Sequence, residues 1–121
     1  MSDTPGFTVR RLAEAPAYTA PNHYDVRSMR LMGLDVGGSA NFWVGLSHIL
    51  PGGGAGPDSS PLEKVYVVTA GEITVEIDGK SHVLKPMDSC CIAPGVVRLL
   101  TNKTNEVASM LVVMPPPPKA V

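Results

Sequence analysis

An excess of charge of either sign is missing from this 121-residue chain: ten Lys and Arg stand against eleven Asp and Glu, a formal net charge of -1. Such a surface has no broad field to draw in nucleic acid or an anionic membrane, and both are disfavoured as partners. Charge is sparse altogether, at 17% of residues against 44% hydrophobic. A chain with that much apolar area to bury folds rather than staying disordered. Long apolar runs are lacking too. No stretch approaches the roughly 20 residues that span a bilayer, and the opening MSDTPGFTVRRLAEAP has no apolar signal core, so a cytoplasmic location is expected. Cysteine is limited to Cys90 and Cys91. Neighbours on a strand point to opposite faces, so the two are poorly placed to bridge each other. Both are expected as small buried apolar residues rather than reactive thiols. No helical apolar stripe persists anywhere, which points away from helices.

What is present is punctuation. Twelve glycines and twelve prolines cut the chain into short pieces, and the pieces are rich in β-branched and apolar residues, the composition of strands. The clearest unit runs from Lys64 to Ala70, through Gly71, then Glu72 to Ile77, the Asp78-Gly79 turn and a return strand from Ser81 to Leu84. Asp-Gly favours the tight hairpin turn in which both central residues take positive φ. Further strands are expected at Ser28 to Leu34, Asn41 to Leu50, Ser89 to Ala93, Val97 to Thr101 and Val107 to Met114. Short strands at this spacing indicate an all-β sandwich or barrel in one domain. The chain divides into an N-terminal arm over 1–27, a β-barrel over 28–114 and a Pro-rich tail over 115–121, where Pro115 to Pro118 enforce polyproline geometry.

Two segments carry a family likeness. From Gly52 the chain runs five residues to Asp58, one to Ser60, three to Lys64 and six to Gly71; fifteen residues later comes Met87-Asp88-Ser89-Cys90-Cys91-Ile92-Ala93-Pro94-Gly95, with Arg98 four residues before Asn102. In spacing, with the Pro51-Gly52-Gly53 run and Glu72 to Gly79, this resembles the two motifs of the cupin superfamily. The resemblance covers about the last two thirds of the chain and implies a double-stranded β-helix, the cupin jelly-roll barrel. The family holds a divalent metal with His, His, Glu and a second-motif His. At those positions this chain has Asp58, Ser60, Lys64 and Arg98, so no cofactor and no metal are expected.

Physical chemistry supports the same expectation. Zinc, iron or nickel require imidazole, thiolate or several carboxylates converging on the ion, and lysine and arginine are cations that cannot serve. If Lys64 and Arg98 point inward, with Asp58 as partial countercharge, the pocket is suited to an anion. Strand parity then makes Tyr66, Val68 and Leu100 inward. By analogy with the family's barrel geometry, Trp43, Ser47, Ile49, Met110 and Val112 complete an apolar cup with a few convergent polar groups.

The candidate roles follow from these types. Lys64 is a desolvated amine fit to move protons or form a Schiff base, although pairing with Asp58 would make it merely structural. Arg98 is a planar fork for a substrate carboxylate and a fixed cation against a developing enolate, unless it pairs with Asp58 or reaches solvent. Asp58 and Tyr66 would tune and orient, Tyr66 otherwise being a core aromatic, with Ser60, Trp43, Ser47, Met110 and Val112 lining the substrate. His48 should face away from the pocket and His82 outward, while His23 is expected as a surface imidazole that could alternatively cap a barrel end as an acid or base. The expected function is a metal-independent lyase or isomerase acting by decarboxylation, dehydration, retro-aldol cleavage or double-bond migration on a small carboxylate- or carbonyl-containing molecule. Its alternatives are non-catalytic binding or sensing of an organic acid, and a residual metalloenzyme using Asp58 and a displaced histidine. The expected partners are a small, anionic substrate and a second copy in a homodimer, since open sheet edges need cover.

Overall fold

The computed structural model of the chain describes residues 5–116. Residues 117–121 of the Pro-rich tail, and with them Pro117 and Pro118 of the expected polyproline run, lie outside that range. Nine antiparallel strands make up almost all the regular structure: β1 Ala17–Tyr18, β2 His23–Met32, β3 Trp43–Asp58, β4 Lys64–Ala70, β5 Ile73–Ile77, β6 Lys80–Leu84, β7 Ser89–Ile92, β8 Arg98–Thr101 and β9 Ala108–Met114. They join in the order β6-β5-β8-β3-β9-β4-β7, with β2 added to β3 and β1 to β2. This is the expected all-β jelly-roll barrel. Two 3-10 turns, Leu12–Glu14 and Leu34–Val36, are the helical elements among the described residues, and no helix there is long and apolar enough to cross a membrane.

β3 organises the barrel. Its first half, Trp43 to Ile49, pairs with β9, and its second half, Gly54 to Asp58, pairs with β8, so one strand turns the corner between the two halves. Gly54 is required there because a Cβ would lie 1.9 Å from the Leu100 carbonyl oxygen. Asn102, fully buried, pins the corner to the turn between β8 and β9. Its Nδ2 donates to the Ile49 carbonyl at 2.9 Å and the Glu106 carbonyl at 2.7 Å, and its Oδ1 accepts from the Thr104 N–H at 2.9 Å and hydroxyl at 2.7 Å. Inward residues of both halves, among them Ile49, Val68, Ile73, Leu100 and Met110, form one core. Each such side chain contributes roughly 1.5–3 kcal/mol by leaving water.

The Asp78-Gly79 hairpin forms as expected, with φ of 52° and 75° at the two central residues. The sheet starts earlier than the pattern suggested: β1 and β2 place residues 17–18 and 23–27, read from sequence as arm, in the sheet, and Leu34 falls in a 3-10 turn. Cys90 and Cys91 are both free, and only Cys90 is partly buried against the core while Cys91 is exposed. The expectation that both are buried fails because alternation along β7 turns Cys91 away from the core that Cys90 and Ile92 meet.

Candidate functional site

Parity along β3, β4 and β9 brings the inward side chains to a cavity of about 210 Å³ in the barrel mouth. That is below the roughly 300–1,000 Å³ of sites for drug-sized ligands, so it suits a small molecule. Lys64, Tyr66, Arg98, Trp43, Ser47, Met110 and Val112 all line it, as expected, with Ile49 and Leu100 at its apolar base. Val68 is buried in the core instead. Trp43 pairs with Met114 across β9 and Val65 with Val113, so Trp43 and Lys64 stand in nearly the same row on either side of β9. Two strand spacings, about 10 Å, separate their backbones. Gly45 makes room for the indole, since a Cβ there would lie 2.3 Å from its six-membered ring.

Electrostatics sets this mouth apart. Arg98 is 7% exposed, its Nε donates to the Tyr66 hydroxyl at 2.9 Å, and its Nη1 is buried with no partner, as is the Trp43 Nε1. Among the described residues no carboxylate lines the cavity, whereas Arg30 joins Lys64 and Arg98 there. Desolvation first, and then the charge of Arg98, hold the Lys64 amine below the usual lysine range, while Asp58 opposes the shift. The Tyr66 oxygen already accepts from Arg98, which leaves its own hydrogen free to donate.

Asp58 and Ser60 sit elsewhere. They line a narrow side cleft of about 10 Å³ that shares Lys64, Tyr66 and Arg98 with the cavity. Asp58 is exposed, and its Oδ1 accepts from the Ser59 N–H at 2.8 Å. The register shift between Ala55 and Asp58 sets Asp58 opposite Arg98, but at the end of β3 its side chain stays exposed. Neither Lys64 nor Arg98 contacts a carboxylate among the described residues, so the pairing with Asp58 weighed for each is not formed.

The N-terminal region supplies a wall that the sequence pattern, apart from the alternative raised for His23, did not indicate. Tyr18, Thr19, Ala20, Pro21, His23 and Arg30 all face the cavity. The Tyr18 ring meets the Trp43 ring edge-on at 5.5 Å, and the Arg30 guanidinium lies 4.9 Å from the Tyr18 ring centre. His23 is half-buried rather than a surface imidazole, and its Nδ1 lies 2.7 Å from the Pro21 carbonyl oxygen. It belongs to the opposite parity from Val26 and Arg30, and the register shift between Tyr24 and Val26, with φ of 52° at Asp25, turns it onto the same face. No alternation rule signals such a bulge. His48 points away, with Nδ1 2.8 Å from the Ser109 hydroxyl, and His82 is exposed, both as expected.

Two of the four positions corresponding to cupin metal ligands hold the cations Lys64 and Arg98, and a third, Asp58, is exposed. Among the described residues no group of three or more His, Cys, Asp or Glu converges. These residues do not suit a divalent ion, which needs converging neutral or anionic donors.

The cupin-domain family model matches residues 45–114. In sequence the chain is 44% identical over 107 residues to a protein of Mycobacterium tuberculosis named beta-D-galactosidase, covering 88% of this chain and 92% of that one. The polyketide cyclase of Streptomyces resistomycificus superposes with a TM-score of 0.80 at 17% identity, over 90% of this chain and 79% of that one. A structure from Thermotoga maritima described as a predicted oxalate decarboxylase gives 0.76 at 19% identity, over 91% and 100%. At such identities these structural likenesses are likenesses of fold.

Proposed function

The chain belongs to the cupin family, and from that premise we propose that it is a metal-independent lyase or isomerase acting on a small carboxylate-bearing carbonyl compound. One observation carries the reading: a buried guanidinium, Arg98, lines a cavity that lacks a carboxylate among its described lining, and its Nη1 has no partner. A buried charge is costly unless paired, and a substrate carboxylate supplies the missing partner. Lys64 is the proton-transfer group beside the carbonyl. As a proton leaves the adjacent carbon, its electron pair moves onto the carbonyl oxygen, which the Tyr66 hydroxyl meets with a hydrogen bond and Arg98 with its charge. Asp58 acts on Lys64 from the side cleft by charge alone. The working unit is a homodimer, which light scattering tests.

Isothermal titration with pyruvate and with its neutral methyl ester tests the anion site. Pyruvate should bind and the ester should not, Arg98→Met should lose the binding, and a chelator should leave it unchanged. Equal binding of acid and ester would sink the reading.

A second reading is favoured by the 44%-identical relative named beta-D-galactosidase: hydrolysis of β-D-galactosides, with the sugar stacked on Trp43 and its hydroxyls meeting Trp43 Nε1 and Arg98. Most glycosidases use two carboxylates flanking the bond, and the cavity offers none among its described lining; Asp58 in the side cleft would have to serve. Release of o-nitrophenol from its β-D-galactoside by wild type, abolished in Asp58→Asn, would establish this reading over the first.

A further inference from the structure

Resting on the proposed anion site, we infer that His23 is a catalytic base in the barrel mouth, its Nε2 taking the proton from the substrate carbon while the Lys64 ammonium donates at the far end. The argument starts from the tautomer. A carbonyl oxygen accepts only, so the 2.7 Å contact between His23 Nδ1 and the Pro21 carbonyl requires the proton of a neutral ring to sit on Nδ1. Nε2 is left with a free lone pair. The contact spans two residues within the chain and so orients the ring as well as fixing its tautomer, as a partner does for a working imidazole. His23 lines the cavity with Lys64, Tyr66 and Arg98.

The groups around it favour the neutral, basic form. Burial, then the charges of Arg98 on β8 and Lys64 on β4, lower its pKa against the Pro21 bond and Asp58 at the end of β3, which raise it. At neutral pH the mouth therefore holds an unprotonated imidazole and a charged amine, a base and an acid on different strands. Double-bond migration needs that pair. Nε2 takes a proton from the carbon beside the carbonyl, the electron pair forms the enolate, and the Lys64 ammonium protonates a second carbon. Passage of the proton from imidazolium to amine resets the site.

The experiment uses pyruvate as probe, following loss of its C3 proton signal in heavy water by NMR, with binding measured separately by isothermal titration. For His23→Gln we expect exchange to fall by about 10²-fold or more and pyruvate affinity to stay within threefold. In wild type the exchange rate should fall on the acid side with an apparent pKa below the ordinary 6.5, and that limb should vanish in the variant. Nitrogen NMR should find the proton on Nδ1. Exchange and acid limb both unchanged in the variant, or a proton found on Nε2, would overturn the role of His23 and leave the anion site standing. A wild type that binds pyruvate without exchanging its protons overturns both proton-transfer assignments. A wild type that does not bind pyruvate overturns the anion site and this inference with it.

Discussion

Replacing Asn102 with alanine tests the account of the barrel corner. The side chain makes four hydrogen bonds, two donated by Nδ2 and two accepted by Oδ1. Each is worth about 1 kcal/mol net, and more where the abandoned partner stays buried. The Ile49 carbonyl belongs to a fully buried residue and gains no water in exchange. Glu106 is exposed and Thr104 partly so, so water recovers part of the loss there. The expected cost is about 2–4 kcal/mol, which for a domain of this size lowers Tm by roughly 8–16 °C. Urea denaturation followed by Trp43 fluorescence measures it, as a lower midpoint at unchanged slope. Asn102→Asp should do no better at neutral pH, since it sets a carboxylate against two carbonyl oxygens, and should recover in acid. A loss below about 1 kcal/mol for Asn102→Ala would refute the claim that this side chain holds β3 to the turn between β8 and β9.

Gly45→Ala should cost about 1–3 kcal/mol by overpacking and shift the Trp43 emission, because the new methyl displaces the indole; an unchanged spectrum and stability would contradict the close approach. Lys64→Met should stabilise the protein at neutral pH. The folded amine has its pKa lowered from 10.5, so the cost of the buried charge is present below the folded value and disappears as pH rises toward the unfolded one; thermal scans from pH 7 to 10.5 should show the advantage of the variant shrinking. His23 follows the same sign at lower pH: wild-type stability should fall as pH drops through 6.5, and His23→Gln should flatten that slope. Iodoacetamide should label exposed Cys91 before Cys90, whose thiol is pushed up by burial, and mass spectrometry of the two adducts would reveal the reverse order.

The sequence made the central strands legible because alternation and turn chemistry act locally. β4 is legible to the residue, and the inward residues of β4 and β8 follow from period-2 parity anchored on Lys64 and Arg98, whereas those of β3 and β9 follow from the likeness to the cupin barrel. What escaped depends on departures from that period. His23 reaches the cavity through a bulge at Asp25, and another after Ala55 sets Asp58 opposite Arg98 at the exposed end of β3. β1 is two residues long and has no pattern of its own. Its place comes from pairing with Ser28 and Met29, a tertiary event that no window of residues around Tyr18 encodes.

The stretch matched by the family, residues 45–114, contains Lys64, Tyr66 and Arg98 but not Tyr18, His23, Arg30 or Trp43. Lys64 and Arg98 thus lie within the matched stretch, and the facing wall of the cavity lies outside it. A change in the first forty-odd residues can reshape what the mouth admits without disturbing the barrel that holds Arg98. Transplanting residues 16–30 between this chain and a relative is then an economical way to move selectivity from one cupin to another while leaving the anion clamp where it was.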